Sequence, residues 1–347
     1  SGEQFRKVKE IVMEDRERHY IVVSAPGKRD GKDTKVTDLF ISLYEAVQKK
    51  KGIEEIVEKI KRRYQEIIEG LSLSISLEED FSEIVRSLTA GDSLDYAASR
   101  GEYLNARVMA EYLGFPFIDA EQLIFFSGDS CDFKKTEEVA KSVLSSVEYA
   151  VIPGFYGVNE NGEVVTFSRG GSDVTGSLIA AAVYADLYEN WTDVSGFLVS
   201  DPHIVEKPEV IDYITYRELR ELSYMGAGVL HEDAIFPVRK EGIPIQIKNT
   251  NAPEDHGTMI VANTLKKPRF IITGIAGKKG FCAVSITKDL MNSEIGFGRK
   301  VLQSFEDNGI SFEHMPSGID TMTIVVHEDE FLHKEQAVVS EIHRLTR

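Results

Sequence analysis

The sequence predicts an α/β layered sandwich followed by a smaller α+β unit. Three observations predict it. Short β-branched runs alternate with helix-period segments up to about residue 263. Those runs are apolar throughout rather than alternating, as strands covered on both faces are. Beyond Lys266-Lys-Pro-Arg269 the order becomes strand, strand, helix, strand, strand, helix, a compact module of roughly 80 residues.

Taken in order, Phe5, Val8, Ile11 and Val12 recur at helical spacing among charges, so the chain opens with a helix. The run His19–Ser24 is a buried strand. It leads into Ala25-Pro-Gly-Lys-Arg29, a loop at a strand's carboxyl end, where open α/β sheets bind ligands. Residues 36–90 read as mostly helical, with Ile53, Ile56, Val57, Ile60, Tyr64 and Ile67 on one face. The charges of that segment and of 133–146 read as solvated faces. Strands are expected at Phe115–Ile118, Leu123–Phe126, Tyr149–Pro153 and Val164–Phe167, then a long small-residue helix at Ser172–Asn190. Past a boundary near Pro268, strands are expected at Phe270–Ile275, Phe281–Thr287, Ile310–Met315 and Met322–Val326. Helices are expected there at Ile295–Asn308 and Leu332–Leu345.

Asp and Glu number 57 against 40 Lys and Arg, a formal net charge of −17. That balance argues against a duplex nucleic-acid partner and against an anionic membrane surface. It leaves anionic small substrates open, because a site needs only a few local cations. No apolar run approaches the roughly 20 residues of a membrane span, and the N-terminus lacks a signal-peptide core. The two cysteines, Cys131 and Cys282, offer neither a disulfide framework nor a metal spacing. A reducing compartment, the cytoplasm, is expected. His203, His231 and His256 are scattered and read as structural or surface residues. P-loop, GxGxxG, GxSxG and HExxH patterns are absent from the sequence.

Three segments carry candidate chemistry. In Phe167-Ser-Arg-Gly-Gly-Ser-Asp-Val-Thr175 a strand ends, two glycines permit a tight turn, and Ser172 is placed to cap a helix. A helix N-terminus favours anions, and Arg169 adds a forked cation for carboxylate or phosphate. The same residues also read as a plain strand-to-helix turn with a surface arginine. Asn190-Trp-Thr-Asp-Val-Ser-Gly-Phe-Leu-Val-Ser-Asp-Pro-His203 reads as polar loop, short strand and Ser-Asp-Pro turn. Gly101-Glu-Tyr-Leu-Asn-Ala-Arg107 lies in a helix, where Glu102 is either a dipole partner or a ligand carboxylate.

Together and in this order, these segments resemble the aspartokinase family. Ile21-Val-Val-Ser-Ala-Pro-Gly-Lys28, followed by Thr37-Asp-Leu39, resembles its strand and Ser-Ala-x-Gly-Lys loop. Gly101-Glu102 resembles its helix start that meets the amino acid, Pro153-Gly-Phe-Tyr-Gly157 its Gly-Phe-x-Gly, and Ser168-Arg-Gly-Gly-Ser-Asp-Val-Thr175 its Gly-Arg-Gly-Gly-Ser-Asp-Thr-Thr. Thr192-Asp-Val-Ser-Gly196 with Ser200-Asp-Pro202, and Met225-Gly-Ala-Gly-Val-Leu-His231, resemble its nucleotide segments. The resemblance implies a three-layer αβα amino-acid-kinase sandwich over 1–265 and an ACT-like, ferredoxin-like domain over 266–347. It implies transfer of the ATP γ-phosphoryl group to the side-chain carboxylate of L-aspartate, with Mg²⁺ held largely by the nucleotide.

By the same resemblance, Arg169 clamps a substrate carboxylate and Glu102 receives the substrate ammonium. Ser24, Thr37 and Ser172 are hydrogen-bonding neighbours, and Gly170 and Gly171 lie close to substrate. Asp173 arranges cations around the phosphoryl group. Thr192, Asp193, Leu198, His203, Gly228 and Val229 hold the nucleotide. An amino-acid effector is implied at the turn with Met291, Ser293, Gly296, Phe297 and Gly298, faced by Glu313 and Ser317 of a paired domain. Lysine is the expected effector and threonine the alternative, and a homodimer or higher homo-oligomer is expected.

The sequence departs from the family in three places. The family opens with a Lys-Phe-Gly-Gly strand, whereas this chain begins at residues resembling those just after it, so a poor or dead kinase is expected. The last ACT strand and a second ACT module are not in the sequence, so an exposed sheet edge prone to pairing is expected. Gly228 stands where the family often has lysine, leaving a phosphate contact to Lys28, and Leu198 replaces a usual tyrosine. Two other readings stay open: a kinase for another amino acid or carbamate, and a non-catalytic amino-acid-binding regulatory subunit.

Overall fold

The opening segment folds as α1 (Gly2–Glu14), burying Phe5, Ile11 and Val12, and leads into β1 (Tyr20–Val23). The structure is a computed structural model. It describes every residue except Ser1, Asp129, Arg169, 225–229, His231, 264–270 and Arg347, and leaves out the side chain of Glu232. The chain divides into two units, 1–276 and 277–347.

In the first unit β1 is followed by α2 (Val36–Gln48), α3 (Glu54–Gly70), α4 (Glu78–Ala90) and α5 (Leu94–Leu113). Ser93 caps α5 by accepting from the Tyr96 N–H, and left-handed Gly91 and Gly114 end α4 and α5. Next come the hairpin β2 (Phe126–Ser127) and β3 (Ser130–Cys131), then α6 (Phe133–Leu144) and β4 (Ala150–Pro153). A second hairpin, β5 (Tyr156–Val158) and β6 (Val164–Thr166), leads to α7 (Gly171–Ala182) and β7 (Tyr188–Thr192). The unit continues with β8 (Tyr213–Thr215), α8 (Tyr216–Tyr224), α9 (Phe236–Glu241), β9 (Ile245–Asn249) and β10 (Thr258–Val261).

Strand β1 pairs with β4 in parallel, and Phe117 bridges the other side of β4 at Val151. A second sheet has the order β7-β9-β10-β8, parallel except for β9 against β10. Successive residues of β4 enter different cores. Val151 packs into the core built by α2 to α5, whereas Ala150 and Ile152 pack into the core with Leu144 of α6 and Leu178 of α7. Both faces of β4 are therefore covered by helices, as the unbroken apolar run required. This α/β layering is the predicted fold class.

Several elements differ from the predicted ones. The helix expected over Ser172–Asn190 starts at Gly171 and stops at Ala182, and Tyr188–Thr192 is strand β7. Tyr184 adopts φ +52°, which ends the helix, and the Tyr188 N–H then donates to Pro244 O beside β9. In place of a strand from Leu123, Asp119 accepts from the Glu121 N–H and starts a 3₁₀ turn, leaving Phe125 to bridge Val158 and Phe126 to pair with Cys131. Of Phe115–Ile118 only Phe117 bridges. Residues 271–275 form no strand, and Phe270 lies outside the described residues. The units part after Ala276, and the Lys266–Arg269 marker lies outside the described residues.

The second unit runs β11 (Phe281–Thr287), α10 (Phe297–Glu306), β12 (Phe312–His314), β13 (Thr321–His327), α11 (Glu328–Phe331) and α12 (Glu335–Thr346). Its sheet is antiparallel with the order β11-β13-β12. Met322, Ile324 and Val326 of β13 face Val301, Phe305, Val338 and Ile342 of the helices. The helix expected over Leu332–Leu345 is α12, starting three residues later at Glu335, and the short α11 precedes it.

Candidate active site

Three glycines draw the site together at the carboxyl ends of β1 and β4. The Gly154 N–H donates to Val23 O at 2.9 Å, fastening the loop after β4 to the end of β1. A Cβ on Gly154 would lie 2.7 Å from Ser172 Cα, and one on Gly171 would lie 2.6 Å from Phe155 Cδ2. No side chain fits at either position, so the N-terminus of α7 rests directly on the β4 loop. That N-terminus is capped by Gly170 in the left-handed region (φ +56°) rather than by Ser172, which lies inside the first turn. The loop is held by Phe155 N–H donating to Thr175 Oγ1 (3.1 Å) and Phe167 N–H donating to Phe155 O (2.9 Å). A helix N-terminus so placed favours an anionic group.

The third glycine is Gly101 on α5. A Cβ there would lie 3.0 Å from Ala25 Cβ and 3.3 Å from Val36 Cγ1. Its absence brings α5 against both the Ser24–Ala25 turn and the first turn of α2, which carries half-buried Thr37. Glu102 and Asn105 follow on α5, buried at 7% and 6% exposure. Asn105 Nδ2 donates to Ser24 O at 2.7 Å. Burial pushes the Glu102 carboxyl up to about 7, against the opposing pull of the Ala25 and Glu102 backbone amides. Glu102 Oε2 has no hydrogen-bond partner among the described residues.

The loop after β1 is stapled from below. Arg63 of α3, only 4% exposed, donates to Gly27 O and pairs with Asp33 at 2.9 Å. Asp33 also accepts from the Arg29 backbone and guanidinium; those hydrogen bonds hold its carboxyl at about 2. The neighbouring Tyr64 hydroxyl donates to Gly101 O at 2.8 Å. Adjacent residues of α3 thus grip both walls of the site.

On the far side of α7, Asn190 Nδ2 donates to Asp173 Oδ1 at 2.8 Å and the Tyr188 hydroxyl donates to Asp173 O at 3.1 Å. Both come from β7, whose end carries Thr192 and Asp193. Thr192 Oγ1 donates to Asp193 Oδ1 at 3.3 Å, and Thr192 O accepts from the Thr250 N–H at the end of β9. The loop beyond is anchored by buried Phe197, whose N–H donates to Thr258 Oγ1 at 2.8 Å. Leu198 is half-buried and bridges Val210, while His203 is exposed with its ring Nδ1 2.9 Å from Asp201.

The structure therefore brings Ser24, Thr37, Glu102, Gly170, Gly171, Ser172 and Asp173 around the ends of β1 and β4. It places Thr192, Asp193, Leu198 and His203 on the β7 side. Arg169, Gly228 and Val229 lie outside the described residues. Among the described residues no three His, Cys, Asp or Glu side chains converge as a metal cluster. No helix of the described residues is long and apolar enough to cross a membrane.

In the second unit Met291 and Phe297 are buried, Gly296 takes φ +79°, and a Cβ on Gly298 would lie 3.0 Å from Met322 Cε. Ser293 shares the 3₁₀ turn with Met291. Glu294 is gripped by Lys288 (2.7 Å) and Lys300 (2.8 Å), whose hydrogen bonds hold its carboxyl at about 2. Glu313 Oε1 lies 3.0 Å from His327 Nε2, and Ser317 bridges Met322.

Sequence reasoning passed over Asn105, Arg63, Asp33, Tyr188 and Asn190 as site residues. Helical spacing carried a signal for Asn105, three residues after Glu102 on the same face. None marked Arg63, which sits within a charged stretch that reads as a solvated face.

Residues 1–249 match the amino acid kinase family. Aspartokinase 3 of Bacillus subtilis is 40% identical over 345 residues, which cover 95% of this chain and 76% of that protein. Aspartokinase 1 of Arabidopsis thaliana, chloroplastic, is 28% identical, the match covering 90% of this chain and 59% of that protein. The crystal structure of Clostridium acetobutylicum aspartate kinase superposes with a TM-score of 0.91 at 51% identity, covering 99% of this chain and 80% of that one. The chain belongs to the amino acid kinase family and, within it, to the aspartokinases.

Proposed function

We propose that the protein transfers the γ-phosphoryl group of ATP to the side-chain carboxylate of L-aspartate, giving 4-phospho-L-aspartate and ADP. The observation that carries this reading is the buried Glu102 carboxylate, with an unpartnered oxygen, set beside the Ser24–Ala25 turn. Such a group is suited to an α-ammonium. The reacting carboxylate is already ionised, so the site needs no general base. It needs alignment and charge compensation. In the step, a carboxylate oxygen of aspartate bonds to the γ-phosphorus while the bond from that phosphorus to the β–γ bridging oxygen breaks, and the electron pair leaves with ADP.

The N-terminus of α7 supplies N–H groups and a favourable dipole for the substrate's anionic groups. Arg169 is assigned to the α-carboxylate, with Ser24, Thr37 and Ser172 as hydrogen-bonding neighbours. Gly170 and Gly171 let backbone approach. Thr192, Asp193, Leu198, His203, Gly228 and Val229 are assigned to the nucleotide. Mg²⁺, when bound with ATP, neutralises phosphate charge, and the Asp173 carboxylate held by Asn190 fits a place beside it. Lys28, on the exposed loop after β1, is assigned to phosphate.

In the same reading the second unit, 277–347, is an ACT-like module binding an amino-acid effector, lysine or alternatively threonine, at the turn 291–298. Its strand–helix–strand–strand–helix order supports this, and exposed Leu290, Ile295 and Ile319 support pairing of copies. A cytoplasmic location and a role in lysine, threonine and methionine supply follow from the same assignment.

The test is ADP release by the purified protein with each acceptor, with hydroxylamine added to trap an acyl phosphate. Release dependent on L-aspartate, with formation of the aspartyl hydroxamate, is expected. Release that depends instead on glutamate or carbamate, or none with aspartate, would overturn the assignment.

A further inference from the structure

Glu102 is not the only buried acceptor left open at this wall. Asn105, also on α5, is 6% exposed, and its Oδ1 has no hydrogen-bond partner among the described residues. Residues three apart are neighbours on a helix surface. Both side chains sit against the same two-residue turn, Asn105 through its bond to Ser24 O and Glu102 beside the Ala25 amide. An amide flip does not remove the open acceptor. It would set Oδ1 against the Ser24 carbonyl, where Nδ2 now donates at 2.7 Å. Two buried, unpartnered acceptors on one helical face are costly for a folded protein unless a donor fills them.

An ammonium group is suited to that pair. It carries three N–H donors and one positive charge. The Glu102 carboxylate balances the charge, and a neutral amide oxygen accepts a second hydrogen bond without adding negative charge. We propose that Asn105 Oδ1 is a second ligand of the substrate's α-ammonium. Asn105 is thereby a specificity-determining residue that distinguishes aspartate from the same diacid lacking an amino group. This inference rests on the aspartokinase reading above.

The test compares dissociation constants of L-aspartate and succinate by calorimetry for the wild type, Glu102→Gln, Asn105→Leu and Asn105→Asp. Succinate keeps both carboxylates and lacks the amine. Asn105→Leu removes both the acceptor and the brace on Ser24, whereas Asn105→Asp keeps an acceptor oxygen and loses the brace. The expected result is a loss of at least about tenfold in aspartate affinity for Asn105→Leu, the worth of one hydrogen bond to a charged group, with succinate unchanged. Asn105→Asp is expected to keep the preference for aspartate, and it carries the test if the leucine variant fails to fold. Equal losses for both ligands in Asn105→Leu, or loss of the preference in Asn105→Asp, would mean that Asn105 only braces the loop. A preference that vanishes in Glu102→Gln but is undiminished in Asn105→Leu overturns this inference alone. A wild type with no preference for aspartate overturns the substrate assignment with it.

Discussion

Asn190 Nδ2 donates to Asp173 Oδ1 at 2.8 Å, joining the first turn of α7 to the middle of β7. Asn190 is itself buried and lies 3.2 Å from the Tyr188 hydroxyl, which donates to Asp173 O. The carboxylate assigned to the phosphoryl group is therefore oriented by the strand that ends in the nucleotide residues. Asn190→Leu removes that orientation without touching either substrate. It is expected to lower kcat by about 100-fold with little change in the KM for aspartate, as small misplacements of reacting groups do. Steady-state kinetics check this, and a change confined to KM would refute it.

Gly154 and Gly171 are expected to tolerate no side chain. Gly154→Ala sets a methyl 2.7 Å from Ser172 Cα, which is backbone and cannot swing away. The start of α7 must then shift. A loss of about 1–3 kcal/mol in stability is expected, with near-complete loss of aspartate-dependent ADP release. Urea denaturation and the ADP assay measure the two effects.

Binding of aspartate is expected to weaken in acid. The Glu102 carboxyl titrates at about 7, and an ammonium pairs with its ionised form. Below that pH the KM for aspartate should rise by up to about tenfold per unit, and above it the KM should level off. Glu102→Gln should abolish the dependence. The linked stability has the opposite sense. The folded protein keeps a proton on Glu102 between pH 4.5 and about 7 that the unfolded chain has lost, so stability falls as pH rises through that window. The effect is on the order of 3 kcal/mol, and aspartate should offset much of it. Melting curves across pH, with and without aspartate, would show this.

Arg63→Met is expected to loosen the loop after β1. Gly27 O loses its donor, while Asp33 keeps Arg29. A cost of about 1–3 kcal/mol is expected for the unmade bond. The clearer readout is limited trypsin digestion, which should cleave at Lys28 and Arg29 much faster than in the wild type. Unchanged cleavage would mean that Arg63 does not hold the loop.

Much of the layering was legible from local chemistry. The segments His19–Ser24 and Tyr149–Pro153 read as strands from their apolar, β-branched middles, and the residues that pair, Tyr20–Val23 with Ala150–Pro153, pack into the cores. Glu102, Gly170, Gly171 and Asp173 were singled out because each belongs to a short motif of unusual residue types. The end of the α7 helix was not legible. The run Gly171–Ala182 and the residues up to Asn190 look continuous by composition, and the helix ends instead at left-handed Tyr184, after which Tyr188–Thr192 pairs with β9.

The sequence by itself determined the α/β class, the smaller C-terminal module and the motif residues, because periodicity and turn chemistry act over a few neighbouring positions. Only the tertiary structure decided which residues serve those motifs from a distance. Arg63 reaches Gly27 across 36 positions, Asn105 reaches Ser24 across 81, and Asn190 reaches Asp173 across 17. A hydrogen bond between such partners leaves no periodic trace in the chain. Its donor can be recognised only once burial has removed water as the alternative partner.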